Sequence, residues 1–290
     1  MLHAIVEQVA SGLVIGSIYA ALALALVMIF NSTGHVNFAQ GEMAMFSTYL
    51  AWAMIQAGLP YWQTFPAAVA LSFAGGAAIE RAILRPLRHA PVLSVVVVFV
   101  GLLLVFNSVA GWIWGSEVKE FPSPLHDVSV GSLPFGAHDL AVIAVTLALL
   151  LLLFAFFRFT RLGLAMRGTA ENPESAQLLG IRIGWMLALG WGLAAAIGAI
   201  AGMLVAPVVF LEPNMMAGVL IYALAAALLG GIDSPAGAIA GGLIVGVLEN
   251  LAGAFLIGDE LKRAFALAIV IGVLILRPRG LFGKIVVKRV

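Results

Sequence analysis

The polar residues best placed for chemistry in this largely apolar chain lie between Phe30 and Met43, in the sequence FNSTGHVNFAQGEM. The amides of Asn37 and Gln40 and the carboxyl group of Glu42 could hydrogen-bond or pair with a small charged solute. The stretch separates two apolar segments and contains no Lys or Arg. Basic residues usually mark a cytoplasmic connector. Their absence makes a polar segment at membrane depth one of two hypotheses for this stretch.

Two interpretations of this segment stay open. Irregular backbone at membrane depth is tolerated where it lines a cavity or is buried in protein. A half-helix that begins near Gln40 would then direct its first amides at that cavity, and Asn37, Gln40, Gly41 and Glu42 would line or shape a solute path. In the alternative, the segment is a plain loop, and Glu42 only occupies the first turn of the next helix, where the helix dipole favours an anion.

A second polar stretch, Thr160–Trp185, interrupts two long apolar runs and predicts a short helix in its middle. Asn172 suits the N-cap and Pro173 the first helical position. Glu174 lies in the first turn, where a negative charge is favoured. Gly180 suits the residue just past the end of the helix.

This short helix would have an apolar side made of Ala176, Leu178 and Leu179. Isolated helices shorter than about 12–15 residues are marginal in water. The helix therefore needs a surface to pack against, which could belong to the same chain or to a partner protein.

Motifs for catalysis or nucleotide binding do not occur in the sequence. The Gly283-Lys284 pair is followed by Ile285 and lacks the upstream glycine of a phosphate-binding loop. No HExxH or GxSxG pattern occurs, there is no cysteine, and the five histidines are scattered. We expect neither an enzyme nor a metal site, and no cofactor bound by this chain.

Composition places these stretches in a membrane protein. The chain of 290 residues is 63% hydrophobic and 10% charged, whereas soluble domains have about 45–50% apolar and 25% charged residues. A bilayer-spanning helix needs about 20 apolar residues. The predicted fold is all-α, a polytopic transmembrane bundle of eight or nine spans with some short, broken or re-entrant helices. The candidate spans are 4–30, 43–58, 62–84, 92–115, 139–157, 185–211, 214–230, 236–256 and 264–277.

The distribution of basic residues predicts the orientation. If the loops 81–91 and 158–184 share one side with the C-terminal tail, that side holds twelve of the fifteen Lys and Arg residues. The positive-inside rule makes this side cytoplasmic. We therefore expect a single transmembrane domain over 1–290, with a cytoplasmic loop at 158–184 and an external loop at 116–138.

Small residues four positions apart predict close helix packing. The pairs are Gly12/Gly16, Gly198/Gly202, Gly237/Gly241 and Gly242/Gly246. The favoured interpretation is packing within one bundle, and a subunit interface is the alternative. The break LLGGIDSPAGAIAGG at Leu228–Gly242 predicts a tight turn between two helices, with Asp233 as the initiator of the turn or of the next helix.

Isolated polar residues within spans attract attention because burying them in lipid is costly. They are Glu80, Asn107, Glu249 and Asn250. We expect Glu80 to pair with the neighbouring Arg81, and Glu249 and Asn250 to face water near a span end.

Several of these stretches together resemble the LivH-type inner-membrane permease subunits of ABC importers for branched-chain amino acids. The opening GLVIGSIYAALALALVMIFNSTGHVNFAQGE is similar to the family's pattern, and so is the central AMRGTAENPESAQLLGI. The segment GGIDSPAGAIAGGLIVGVLE and the ending Arg277–Gly283 extend the resemblance along the whole chain.

The resemblance implies a transport subunit that carries leucine, isoleucine and valine into the cytoplasm. It also implies that the central helix couples to a cytoplasmic ATPase, through Glu171, Asn172, Pro173, Glu174, Ala176, Leu179 and Gly180. Ala176 and Leu179 would enter a groove of the ATPase, and the two glutamates would contact its rim. ATP would bind to the partner ATPase subunits only.

The remaining partners implied are a second homologous permease, an external solute-binding protein and membrane lipid, with no nucleic acid. The location implied is the cell inner membrane, with the C-terminus in the cytoplasm. Related permeases for other amino acids, short amides or urea are the first alternative. The second is a self-sufficient secondary transporter, which should show paired intramembrane acidic or histidine residues, and no such pair is evident in the sequence.

Overall fold

A computed structural model describes residues 2–88, 90–125, 136–277 and 279–283. These residues form helices and connecting turns, and no strand of more than one residue occurs among them. Lys119 and Leu211 form an isolated bridge. The helices are α1 (Leu2–Thr33), α2 (Gln40–Gln56), α3 (Tyr61–Ile79), α4 (Val92–Trp114), α5 (Ala137–Phe159), α6 (Arg161–Glu171), α7 (Pro173–Leu178), α8 (Ile183–Val209), α9 (Met215–Gly230), α10 (Pro235–Ala252) and α11 (Lys262–Leu276). A π-helical turn (Glu80–Leu84) and a 3-10 turn (Arg85–Leu87) extend α3, and the turns Gly253–Ile257 and Asp259–Leu261 lead from α10 to α11.

The all-α, polytopic fold predicted from composition is confirmed. Within the described part of the chain, six helical segments are long and apolar enough to cross a membrane. They are His3–Thr33, Tyr61–Leu87, Val92–Trp114, Ala137–Phe159, Ile183–Val209 and Pro235–Ile257. The other three predicted spans coincide with α2, α9 and α11, which have 17, 16 and 15 residues. These are the three spans that the sequence marks as short.

The chain divides into two compact units, and the prediction of a single domain over 1–290 stays a prediction. The first unit comprises Met1–Val27, Leu125–Ile143 and Gly218–Val290, and the second comprises Met28–Pro124 and Ala144–Ala217. The long apolar helices α1 and α5 each contribute residues to both units.

In the first unit, glycines bring the backbones of α1 and α10 into contact. A Cβ atom at Gly16 would lie 2.9 Å from the carbonyl oxygen of Gly242, and one at Gly12 would lie 2.7 Å from Cα of Val247. A Cβ at Gly246 would meet the backbone of Gly12 and Gly16. The predicted pairs Gly12/Gly16 and Gly242/Gly246 therefore pack against each other. This confirms packing within the bundle for α1 and α10.

Two polar residues that were expected to face water, Glu249 and Asn250, are buried inside this unit. Glu249 and Asn250 are 7% and 6% exposed, so the prediction that they face water is wrong for this chain. The Tyr19 hydroxyl donates a hydrogen bond of 2.7 Å to the Glu249 carboxyl group, and the Tyr19 ring stacks on Tyr222 at 4.9 Å. Buried polar groups need such partners because desolvation is costly.

The C-terminal segment closes onto the turn between α9 and α10. The amides of Leu281 and Phe282 donate to the carbonyl oxygens of Leu229 and Gly230 at 2.8 and 2.9 Å. Gly231 has φ +111°, a conformation that side-chain-bearing residues rarely adopt. The ending Arg277–Gly283 and the break at Leu228–Gly242 are thus joined by backbone hydrogen bonds.

The cap of α10 differs from the prediction. The Ser234 hydroxyl accepts a hydrogen bond from the amide of Gly237 at 3.1 Å and caps the helix. Asp233 lies one residue earlier, in the turn. Of the two roles predicted for Asp233, the helix cap therefore belongs to Ser234, and Asp233 is a turn residue. Serine and aspartate cap helices about equally well, so residue type did not separate the two.

In the second unit, α8 is the central element and packs against α2 and α3. Gly198 and Gly202 of α8 face Ala44 and Thr48 of α2. On the α3 side, a Cβ atom at Gly76 would lie 2.6 Å from the backbone oxygen of Trp191, a residue with no exposed surface. Small residues again set the distance between helices.

Glu80, at the end of the α3 span, forms an ion pair with Arg88 at 2.6 Å and is 2% exposed. The expected pairing with Arg81 is wrong. Adjacent residues on a helix point in different directions, so side chains one position apart do not face each other. The π-helical and 3-10 turns that follow Ile79 bring Arg88 back to Glu80 instead.

Replacing Gly246 by leucine should destabilise the protein, because the new side chain would occupy the space of the α1 backbone. Overpacking costs about 1–3 kcal/mol, and we expect a lower midpoint of thermal unfolding in detergent. Gly101→Leu on α4 is the matched control, because a Cβ there meets nothing within 4 Å. Both changes raise helix propensity equally, so equal midpoints for the two variants would contradict the proposed close approach.

Candidate functional site

The polar segment after α1 is a short loop followed by a helix start. α1 ends at Thr33, Gly34 has φ +72°, and α2 begins at Gln40. The predicted helix start near Gln40 is confirmed, with Glu42 in the first turn. The Asn37 side-chain oxygen accepts a hydrogen bond from the amide of Ala39 at 3.0 Å and so stabilises the turn into α2.

The four residues predicted to line or shape a solute path are all buried in the chain. Asn37 and Gln40 have no exposed surface, Glu42 is 5% exposed, and Gly41 is also buried. The Gln40 amide donates to the backbone oxygen of Ala194 in α8 at 2.9 Å. The Asn37 amide donates to the Gln40 side-chain oxygen at 3.4 Å. The structure thus brings these residues together as an internal hydrogen-bonded cluster, and their contact with a solute stays a prediction.

Asn107 connects this cluster to α4 and to the segment after α8. Its side-chain amide donates to the Pro213 carbonyl oxygen at 2.9 Å and to the Asn214 side-chain oxygen at 3.0 Å. A longer contact of 3.4 Å reaches the Glu42 carboxyl group. Asn107 is identifiable in the sequence as an isolated polar residue within a span, whereas its partners Pro213 and Asn214 carry no comparable signal.

The helix α8 packs closely against the cluster. A Cβ atom at Gly198 would lie 2.7 Å from the Gln40 side-chain nitrogen. The Thr48 hydroxyl, one turn beyond Ala44, bonds the Ala44 carbonyl oxygen at 2.9 Å. The glycines of α8 therefore make room for polar side chains of α2, which is why a small-residue stripe and a polar stripe face each other.

The second candidate element, α7, has the ends that the sequence predicts. The Asn172 side-chain oxygen accepts from the amide of Ser175 at 2.9 Å, and Pro173 is the first helical residue. Gly180 has φ +80°, and its amide donates to the Gln177 carbonyl oxygen at 2.9 Å. The amide of Ile181 returns to the Ala176 carbonyl oxygen at 3.0 Å and completes the C-terminal cap.

The sides of α7 differ from the prediction in one respect. Ala176 is 3% exposed within this chain, so its methyl group cannot also fill a groove of a partner. Leu178 and Leu179 are 89% and 81% exposed. The anchor role predicted for Ala176 is therefore corrected to an internal packing role, while Leu179 keeps an exposed apolar side chain. Glu171 and Glu174 are exposed, and their contact with an ATPase stays a prediction.

A further helix, α6, precedes α7 in the same polar stretch and was not predicted. Thr160 caps it by accepting from the amide of Gly163 at 3.0 Å. Two glycines, Gly163 and Gly168, lower its intrinsic helix propensity. Gly163 is tolerated because the backbone of Phe156 occupies the space that a Cβ atom would take.

Comparison with known proteins decides the family. Residues 8–274 match the family described as branched-chain amino acid transport system / permease component. The chain belongs to this family. This permease is a transport component with multiple membrane-spanning helices, as the apolar helices above independently indicate.

Individual relatives cover nearly the whole permease. It is 32% identical to the high-affinity branched-chain amino acid transport system permease protein LivH of Escherichia coli (strain K12), over 98% of this chain and 97% of the relative. Identity to the corresponding protein BraD of Pseudomonas aeruginosa is also 32%, with the same coverage. A probable LivH of Methanocaldococcus jannaschii is 27% identical over 93% of this chain and 90% of its own.

Replacing Asn107 by leucine should destabilise the permease by about 1–3 kcal/mol, because the buried Glu42 carboxyl group and the Pro213 carbonyl oxygen each lose a hydrogen-bond donor. Thermal unfolding in detergent measures this change. The control is Ser108→Leu, which adds the same side chain at the adjacent, exposed position of α4. An Asn107→Leu variant as stable as the control would show that the hydrogen bonds of Asn107 do not hold α4 in place.

Proposed function

We propose that this permease is the membrane subunit of an ABC importer that carries leucine, isoleucine and valine into the cytoplasm. The observation that supports the proposal is the 32% identity to LivH over 98% of this chain and 97% of the relative. Energy would come from separate cytoplasmic ATPase subunits that bind ATP. A second homologous permease and an external solute-binding protein would complete the complex in the cell inner membrane.

The proposed orientation has the C-terminus and α7 in the cytoplasm. Twelve of the fifteen Lys and Arg residues then lie on the cytoplasmic side, as the positive-inside rule favours. The loop that begins after Trp114 would be external, where a solute-binding protein delivers its ligand. The tail beyond Gly283, which contributes several of these basic residues, lies outside the described part of the chain.

The proposed coupling element is α7 together with its caps. Its exposed leucines, Leu178 and Leu179, suit an apolar groove, in the manner of short helices that dock into partner proteins. The buried methyl group of Ala176 fixes α7 to its own unit, so movement of the ATPase would be transmitted to the chain. Glu171 and Glu174 would contact the rim of the groove.

The proposed solute path includes the cluster of Asn37, Gln40, Gly41 and Glu42. These residues are buried in the described conformation. They would therefore act on the solute in a different state of the transport cycle, or shape the wall of the path through their hydrogen bonds to α8 and α4. The charged ends of an amino acid need such partners wherever water is excluded.

The substrate proposal can be tested by uptake competition. Cells that express the permease with its partner subunits should accumulate labelled leucine, and an excess of unlabelled isoleucine or valine should suppress this uptake. Acetamide and urea, representing the alternative substrates, should leave it unchanged. If the cells instead take up labelled urea and leucine does not inhibit this uptake, the substrate is urea and the proposal is wrong.

The coupling proposal predicts that Leu179→Glu weakens ATPase association. A charge at an apolar anchor should cost about 1–2 kcal/mol, or about a ten-fold loss of affinity, measured by pull-down from detergent. Leu164→Glu is the control, since Leu164 is 62% exposed on the neighbouring α6. Ala176→Glu is less informative, because it also disrupts packing within the chain. If a folded Leu179→Glu variant recovers as much ATPase in the pull-down as the wild type does, α7 is not the coupling element.

A further inference from the structure

A basic cavity lies beside α7 in the second unit, between the end of the α3 span and the start of α8. Its volume is about 510 Å3, and its lining includes Arg81, Arg85, Arg88, Arg182 and Trp185. Ligand sites in proteins commonly have about 300–1,000 Å3. The cavity is therefore large enough for a phosphate group with the first atoms attached to it.

The positive charge in this cavity exceeds the negative charge. Among the described residues, Glu80 alone forms a salt bridge with an arginine of the lining, to Arg88 at 2.6 Å. Arg81 lies over the ring of Trp185 at 4.3 Å, which orients the guanidinium group without neutralising it. Arg85 and Arg182 are exposed. This surplus of guanidinium groups is the donor set that binds phosphate with two parallel hydrogen bonds.

The start of α8 adds a second feature that favours an anion. A Cβ atom at Gly184 would lie 2.7 Å from a terminal nitrogen of Arg85, so this guanidinium group rests against the first turn of a 27-residue helix. The N-terminus of a helix carries about half a positive charge, and its first amides have no acceptor within the helix. A cation at this position is unfavourable by itself. An anion bound to both the first-turn amides and Arg85 would relieve the repulsion.

The position of the cavity identifies the source of the anion. Arg81, Arg85 and Arg88 stand at the end of the candidate span Tyr61–Leu87. Arg182 and Trp185 are near the start of the span Ile183–Val209. The side chain of Trp185 is 46% exposed, as is typical of tryptophans at the level of lipid headgroups. Ile83, on the same turn as Arg81 and Arg85, is also exposed and could contact an acyl chain.

We propose that this cavity binds the phosphate headgroup of an anionic phospholipid. The arginines would bind the phosphate oxygens, Trp185 would lie beside the glycerol region, and the acyl chains would extend along α3. Basic pockets between membrane helices recognise such headgroups in this way. The proposal does not depend on which solute the permease carries.

Lipid binding to the purified transporter complex tests the proposal. Native mass spectrometry would follow titration with phosphatidylglycerol and, separately, with phosphatidylethanolamine. Each basic residue near an anionic lipid surface contributes about 1 kcal/mol, so Arg81→Gln/Arg85→Gln should weaken phosphatidylglycerol binding about 20–30-fold. The control Arg158→Gln/Arg161→Gln removes two exposed arginines outside the cavity lining and should change it little. If the double variant does not fold, Arg85→Gln alone should weaken binding about five-fold.

Three results would overturn the proposal. The first is equal phosphatidylglycerol affinity in the cavity variant and the control variant. The second is inorganic phosphate binding that depends on Arg85 while phosphatidylglycerol binding does not, which would assign the cavity to a free anion. The third is loss of the ATPase subunits from the cavity variant at unchanged lipid affinity, which would assign the arginines to acidic residues of a protein partner.

Discussion

Close contact between helix backbones is the constraint on which both units depend. In lipid, helices gain little from the hydrophobic effect between them, so stability comes from van der Waals packing of surfaces that approach closely. Gly16 and Gly246 permit this approach between α1 and α10, and Gly198 and Gly202 permit it between α8 and α2. The same approach brings Tyr19 to Glu249 and Gln40 to Ala194, so these buried polar groups have hydrogen-bond partners. The glycines that let these helices pack closely thus also allow the hydrogen bonds between them.

The two candidate elements differ in how they use this framework. The polar cluster at the start of α2 lies inside it and has hydrogen-bond partners on α4 and α8. The helix α7 lies at its edge, where Ala176 is covered and Leu178 and Leu179 are exposed. A buried cluster suits a function that appears only when helices move, whereas an exposed apolar helix end suits a standing contact with another protein. The proposed division between solute path and coupling element follows from this difference.

Local signals in the sequence predicted the features that depend on residue type and spacing. The apolar runs predicted the helices, and Asn172, Pro173 and Gly180 predicted the ends of α7. Features that depend on three-dimensional neighbours were not predictable. Glu80 pairs with Arg88 because the irregular turns that extend α3 place the Arg88 side chain beside it. The helix α6 forms in spite of its glycines because Phe156 packs on Gly163. The burial of Ala176 depends on how α7 lies on its own unit. The polar cluster was predicted as a group, but its hydrogen bonds to backbone oxygens were not.

Whether the permease moves its solute only when separate ATPase subunits drive it can be measured in proteoliposomes. The permease would be reconstituted with its ATPase subunits, second permease and solute-binding protein, and compared with the permease alone under imposed proton and sodium gradients. We expect leucine uptake by the full complex that requires ATP and persists when ion gradients are collapsed, and no uptake by the permease alone. Gradient-driven leucine uptake by the permease alone would instead establish a secondary transporter.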